Sequence, residues 1–356
     1  MPQRLERKGR GAVSNEVGRF ERFTSEALDD GWGSLDEPPP LLRTTVTRDA
    51  TRSIIARNSS PDIGFDRSIN PYRGCEHGCI YCFARPTHAF LGLSPGQDFE
   101  SRLFAKPEAA RLLEAELRAP GYRCRVMAMG TNTDPYQPIE REWQVTRQVL
   151  EVLHAFRHPV GIVTKSHLIA RDIDILAPMA EARLARAGIS VTTLDRKLAR
   201  KMEPRAPTPE KRLETIRRLS EAGIPVTVMA APMIPGLNDH EIEAIAEAAA
   251  EAGATDIGYV LLRMPLEIKD LFREWLEAHV PDRAGRVISL MRDMRGGKDY
   301  DARWGERMTG KGPLAELIGE RVQKARARFG LDRKLPPLDT RQFRPPPKEG
   351  DQLQLL

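Results

Sequence analysis

Three of the chain's four cysteines, Cys75, Cys79 and Cys82, fall within eight residues of one another in the stretch RGCEHGCIYCFARPTH. In a reducing compartment, clustered thiols are metal ligands or catalytic groups rather than disulfides. The spacing is Cx3Cx2C, and the fourth thiol, Cys124, stands alone at the start of a predicted strand. Tetrahedral zinc usually draws on two separated ligand pairs, so here it would need His77, His88 or a distant group as its fourth ligand. Both histidines read better as hydrogen-bonding loop residues. A four-iron cluster normally takes four thiolates. Three would leave one iron open, and an open coordination position is where a small molecule binds and reacts.

Those thiols need elements to hold them. The chain has 356 residues, enough for one large domain or two smaller ones. From about residue 66, short β-branched runs alternate with helix-like stretches: RVMAMG at 125–130, VGIVT at 160–164, ISVTTL at 189–194, PVTVMAAPMI at 225–234 and DIGYVLL at 256–262. Within 140–157, Val145, Val149, Val152 and Phe156 recur at steps of four, three and four, which predicts one buried helical face. In TPEKRLETIRRLSEAG, Thr208 is set to cap a helix that Pro209 opens and Gly223 ends. NDHE offers a capping box of Asn238 with Glu241, and PGLND reads as a turn leading into it. With a first strand near DRSINPY, about six β/α units result. Six fall short of the eight of a closed barrel, so the expected α/β architecture is a partial (β/α)6 TIM-type barrel with a mainly helical C-terminal extension. Chemistry in such a fold belongs at the C-terminal ends of the strands, and the cysteine loop directly follows the first.

Cysteines at this spacing, with aromatic Tyr81 before the last of them, on a loop after the first strand of such an alternation, resemble the radical S-adenosylmethionine (SAM) superfamily over about residues 66–262. Within it, YRGCEHGCIYCFAR, TNTDPYQPIE, VTKS, ISVTTLD, MEPRAPTPEKRLETIRRLSEAGIPV and PMIPGLND are similar to the branch that includes spore photoproduct lyase. The resemblance implies a [4Fe–4S] cluster on Cys75, Cys79 and Cys82, with SAM chelating the fourth iron. A one-electron reductant such as flavodoxin or ferredoxin would drive cleavage of SAM to methionine and a 5′-deoxyadenosyl radical, which takes a hydrogen atom from the substrate. It further implies that Thr133, Lys165 and Ser190 hold SAM, with Tyr81 near the adenine. The chemistry suits them, since an ammonium pairs with a carboxylate and hydroxyls bond an amino group or ribose.

Two departures separate the chain from spore photoproduct lyase itself. Thr131 stands where that enzyme has its hydrogen-donor cysteine, and a threonine O–H bond is too strong to serve. Phe83 replaces the tyrosine that follows the third cysteine. Cys124 lies seven residues before Thr131, about 20 Å away along an extended strand, and does not compensate.

Outside the core, residues 1–43 read as a flexible, partly disordered arm, 44–262 as the radical SAM core, 263–335 as a basic helical extension and 336–356 as a Pro-rich tail. The formal net charge is +5, and 283–334 holds 14 Lys and Arg against 7 Asp and Glu, which suits a phosphate-contacting surface. The final Gln352, Leu353, Gln354, Leu355 and Leu356 resemble the peptide by which bacterial repair proteins bind the replication sliding clamp. No apolar run of about 18 residues is present, and MPQRLERKGRGAV lacks the apolar core of a signal peptide, so a cytoplasmic location is expected. The leading expectation is a lyase-like radical SAM enzyme acting on a nucleic acid such as DNA, in repair or modification. Radical chemistry on a protein or small molecule is a second. A non-catalytic zinc or iron–sulfur nucleic-acid-binding module is a third.

Overall fold

The computed structural model describes residues 9–21 and 41–347. Among them ten strands run in chain order: β1 (Thr45–Arg48), β2 (Ile55–Arg57), β3 (Arg67–Ile69), β4 (Tyr72–Arg73), β5 (Arg102–Ala105), β6 (Met127–Met129), β7 (Val160–Thr164), β8 (Ala185–Ser190), β9 (Val226–Met233) and β10 (Asp256–Leu261). β3, β6, β7, β8, β9 and β10 lie side by side in that order, all parallel, with β2 antiparallel on the β3 edge. This open sheet with crossover helices is the expected partial barrel. β1, β5 and β4 form a separate three-stranded sheet that the sequence pattern did not announce.

Alternation along the strands separates two faces. Val160, Ile162, Ala187, Ile189, Val226, Val228 and Ile257 are buried on the side the helices cover. The other side carries small residues at Gly161, Gly188, Ser190, Ala231 and Gly258 among the larger Arg186, Thr227, Met229 and Val163, the last still 38% exposed. A side chain added at Gly161 would meet nothing within 4 Å. The space over Gly161 is thus open, whereas Val163 lies against Gly188 and Met229 against Gly258.

The helices begin largely where their signals lie. Thr208 accepts from Lys211 N at the start of Pro209–Glu221, and Gly223 takes φ +76 after its end. Val145, Val149, Leu150 and Leu153 form the buried face of Val145–Ala155. Three expectations are corrected. The fourth strand spans Ala185–Ser190 rather than 189–194, because Ala185 and Ala187 are buried in the sheet despite the helical propensity of alanine. Asn238 and Glu241 make no capping box. Asn238 is buried, accepting from Ile234 N at 2.6 Å and donating to Thr192 O at 2.8 Å. The Glu241 carboxylate instead accepts from Thr193 Oγ1 and Leu194 N. Third, the arm expected over 1–43 is in part core: Ala12, Val13 and Ser14 are buried.

Past β10, the helices Ile268–His279, Pro281–Asp293 and Pro313–Arg328 complete the extension. Trp275 anchors the first, fully buried, with Nε1 donating to Lys201 O at 3.0 Å. The chain then crosses the N-terminal ends of the strands. Arg333 N donates to Thr255 O, Asp339 N to Arg183 O and Arg344 N to Phe156 O, while the Phe343 ring packs on Tyr122 and His158. The described part of the Pro-rich tail is therefore bound along the end of the sheet opposite the cysteine loop. The clamp-like peptide 352–356 lies outside the described residues. No helix among the described residues is long and apolar enough to cross a membrane.

Candidate functional site

The cysteine loop follows β3 and the short β4, and its backbone is held almost atom by atom. Gly74 takes φ +75, and a Cβ there would lie 2.8 Å from Phe99 O, so only glycine fits. Cys75 N donates to Phe99 O and Ile80 N to Met202 O, both at 3.0 Å. Beneath the loop lies Arg85, fully buried. Its Nε donates to Cys79 O at 2.9 Å, one Nη to Gly78 O at 3.1 Å and the other to Pro95 O and Gly96 O. The counter-charge is Glu100, also fully buried, whose Oε1 lies 2.5 Å from Arg85 Nη2.

That carboxylate also receives the N-terminal segment. Gly11 N donates to Glu100 Oε2 and Ala12 N to Oε1, both at 2.8 Å. A Cβ on Gly11 would stand 1.9 Å from Gly78 O, so the two backbones touch only because residue 11 is glycine. Residues 10–14 are accordingly part of the wall of the cysteine loop.

All three loop cysteines are free, Cys75 and Cys79 buried and Cys82 partly so. Burial pushes the Cys75 thiol well up, helped by the Asp134 charge, raises Cys82, and lifts Cys79 to about 12 against the pull of the Lys165 ammonium. Thiols that burial keeps protonated are stabilised as thiolates when a cationic centre displaces their protons, which suits a resident iron–sulfur group. Among the described residues no three His, Cys, Asp or Glu side chains are grouped to hold a single metal ion. A cluster asks something different of its ligands, one thiolate to each of three irons. The donor set fits it.

Around the loop, the ends of the neighbouring strands converge. After β6, Asp134 Oδ1 accepts from Thr164 Oγ1 at 2.6 Å, its Oδ2 accepts from Lys165 N at 2.8 Å, and His77 Nδ1 lies 3.3 Å from Oδ2. Burial alone would raise the Asp134 carboxyl, but His77 and these hydrogen bonds hold it at about 2. Thr133 Oγ1 donates to Gly74 O at 2.6 Å and accepts from Gln137 Nε2, so its hydroxyl props up the residue before Cys75. Lys165, at the end of β7, sets its Nζ 5.6 Å from the centre of the Tyr81 ring. That Nζ makes no hydrogen bond or ion pair among the described residues. Burial works against its charge, yet Cys79 and the Glu203 carboxylate hold its pKa above the usual lysine value.

Tyr81 is buried, and its hydroxyl donates to Glu203 Oε1, which also accepts from Thr192 Oγ1 at 2.8 Å. The other Glu203 oxygen pairs with Arg212 Nη2, and Arg212 Nη1 donates to Ser190 O at 3.1 Å. Ser190 thus sits at the end of β8 with its carbonyl fixed and its hydroxyl making no hydrogen bond among the described residues. Tyr81, Lys165 and Cys79 are brought together, Thr133 supports the loop from β6, and Ser190 joins through Arg212. Arg85, Glu100, Glu203, Arg212 and Asp134 were not singled out from sequence. Four of the five stand inside the quoted motifs, CFAR, TNTD and MEPRAPTPEKR, which was the available signal.

The departures remain. Thr131 Oγ1 donates to Asn70 Oδ1 at 3.0 Å. Cys124 lies before β6, near Arg67 and away from the loop, and burial lifts its thiol to about 12. His88 Nε2 pairs with Arg102 O at 2.9 Å, and burial lowers its imidazole to about 4, in keeping with a loop role.

The family model for the radical SAM superfamily matches residues 69–249. An uncharacterized protein of Mycobacterium tuberculosis is 36% identical over 230 residues, 64% of this chain and 68% of that protein. One of Methanocaldococcus jannaschii is 29% identical over 174 residues, 49% of this chain and 62% of its own. Among solved structures, a spore photoproduct lyase mutant with bound AdoMet and dinucleoside spore photoproduct superposes at a TM-score of 0.53, with 13% identity over 80% of this chain and 78% of that one. That likeness is one of fold. The span of the family match, which starts in β3 and runs through the cysteine loop, Lys165, Ser190 and β9, makes this chain a member of the radical SAM superfamily and an enzyme.

Proposed function

We propose that the chain holds a [4Fe–4S] cluster on Cys75, Cys79 and Cys82, binds SAM beside it, and performs radical chemistry on a nucleic acid. Once bound, such a cluster supplies the electron that cleaves a C–S bond of SAM to give a hydrogen-abstracting 5′-deoxyadenosyl radical. The chain's own residues supply the rest. The observation that carries the reading is the Lys165 ammonium, 5.6 Å from the centre of the Tyr81 ring that stands between Cys79 and Cys82, with no hydrogen-bonding partner for its Nζ among the described residues. It is a ready counter-charge for a carboxylate at the open end of a thiolate-bound group. Ser190 offers a hydroxyl from the adjacent strand end, while the phenol of Tyr81, tied to Glu203, presents a ring rather than a donor.

A nucleic-acid substrate is supported by the basic excess of 283–334 and by the related fold of a lyase that was solved with a dinucleoside photoproduct. Thr131 in place of a thiol donor separates this chain from that lyase's own reaction. Anaerobic reconstitution with iron and sulfide, then dithionite and SAM, tests the reading. Cluster-dependent 5′-deoxyadenosine supports it, and an increased yield with DNA or RNA supports the substrate class. A protein that takes up zinc, or holds a cluster and never cleaves SAM under reducing conditions, overturns it.

A further inference from the structure

Half of the twelve arginines between 263 and 335 meet an acidic side chain within the fold. Arg273 and Arg292 meet Asp299, Arg303 meets Asp301, Arg321 meets Glu243 and Arg326 meets Asp256. The raw charge count therefore overstates what the surface offers an anion. Arg263 is not among them. It lies two residues past β10 and makes no ion pair among the described residues. Its nearest polar atoms are Met308 Sδ at 3.8 Å and Tyr300 Oη at 3.4 Å, and its Nε is buried without a partner. Its guanidinium instead lies 5.1 Å from the centre of the Phe83 ring, which directly follows the last loop cysteine and is 44% exposed.

This contact spans the mouth of the barrel. β3 and β10 are separated by four strands in the open sheet, yet the loop after one touches the residue after the other. The strip continues through Met308, whose carbonyl accepts from Leu261 N at the end of β10. Beside it Arg307, fixed by Asp62 and Ser60, lies 4.0 Å from the Trp304 ring, and Trp304 is 55% exposed. The rim beside the cysteine loop thus carries two exposed aromatic faces, each backed by a guanidinium, and the one behind Phe83 forms no ion pair among the described residues.

We infer that Phe83, Arg263 and Trp304 form a stacking surface for single-stranded nucleic acid, on which unpaired bases lie against the two rings while Arg263 meets a phosphate. Planar bases stack on aromatic faces irrespective of sequence, and an unpaired guanidinium at the same rim supplies charge complementarity to the backbone. A duplex, whose bases are already stacked, gains little from such rings. This inference rests on the nucleic-acid reading above.

The test is fluorescence anisotropy of a labelled single-stranded oligothymidylate of about 12 nucleotides and of the matching duplex, from about 50 to about 200 mM salt. The reconstituted wild type, Trp304→Ala, Phe83→Leu and Arg263→Gln are compared, with iron content and circular dichroism checking that each variant is folded. Expected are preference for the single strand, a loss of about ten-fold in affinity for each aromatic truncation, recovery in Trp304→Phe, and a shallower salt dependence for Arg263→Gln. Wild-type binding that the three variants share unchanged overturns the surface and leaves the nucleic-acid reading standing. A wild type that forms 5′-deoxyadenosine but binds neither oligonucleotide overturns both, and stimulation by a peptide would then name the other class of substrate.

Discussion

Replacing Glu100 with Gln tests whether the cysteine loop is held from within by the buried Arg85–Glu100 pair. The carboxylate is fully buried and takes Arg85 Nη2 at 2.5 Å and the amides of Gly11 and Ala12 at 2.8 Å. Gln keeps the shape and one acceptor oxygen but turns an NH2 toward a donor and leaves the Arg85 charge buried without a partner. Breaking a buried pair by removing one member costs about 3–5 kcal/mol. The retained oxygen offsets one neutral hydrogen bond, about 1 kcal/mol, which leaves roughly 3 kcal/mol. Because Arg85 carries the carbonyls of Gly78 and Cys79, the loss falls on the cluster loop as well as on global stability. Two measurements read it: the urea midpoint of the apoprotein, and iron and sulfide bound per chain after anaerobic reconstitution. We expect a lower midpoint and incomplete loading. Arg85→Met combined with Glu100→Gln should recover part of the midpoint, since no unpaired charge remains, but not the loading. A single variant within about 0.5 kcal/mol of wild type and with full iron would refute the reasoning.

Cys79→Ala should lose the cluster, read as iron and sulfide content, whereas Lys165→Ala should keep it and bind SAM about 10–100-fold more weakly by equilibrium dialysis, the worth of one charge-assisted contact. Glu203 titrates at about 2 because Arg212 and Lys165 outweigh its burial, against an ordinary 4.5. Its folded value is depressed, so its contribution is present above about pH 4.5 and fades as pH falls toward 2, by about 3 kcal/mol at most. The stability gap between wild type and Glu203→Gln should therefore narrow over that window in thermal melts, and a gap independent of pH would contradict the assignment. Gly11→Val, which would drive a side chain into Gly78 O, should lower the melting temperature and speed bleaching of the cluster in air, with no effect on the secondary structure seen by circular dichroism.

The legible parts of the fold were those in which local pattern and tertiary role agree. The helix Val145–Ala155 and the cap at Thr208 are set by spacing and by side chains that act on their own backbone. The start of β8 is not legible because Ala, Arg and Leu favour helix in isolation, while in the sheet Ala185 and Ala187 are buried. Asn238 and Glu241 carry a helix-start pattern, but each has a better partner across the barrel mouth, Thr192 O for one and Thr193 with Leu194 for the other. Residues 10–14 have the composition of a loose arm. What buries them is a carboxylate almost ninety positions away, for which no local pattern exists.

At the site the same reasoning explains which residues were found. Thiols at short spacing announce themselves because ligation needs them on one loop. Glu203 and Arg212 do not, since in sequence they are ordinary charged residues of a loop and a helix. Only burial makes them informative: a carboxylate and a guanidinium taken from water together are costly to retain unless they hold something in place. Here they hold the Tyr81 hydroxyl on one side and the Ser190 carbonyl on the other. Tyr81 lies between Cys79 and Cys82, and Ser190 ends the strand beside Lys165, so one buried ion pair sets the distance between the thiol loop and the β8 edge. Conservative replacement with a neutral pair, Glu203→Gln with Arg212→Met, should accordingly preserve folding better than either single change while loosening SAM binding, a separation that a purely structural pair would not produce.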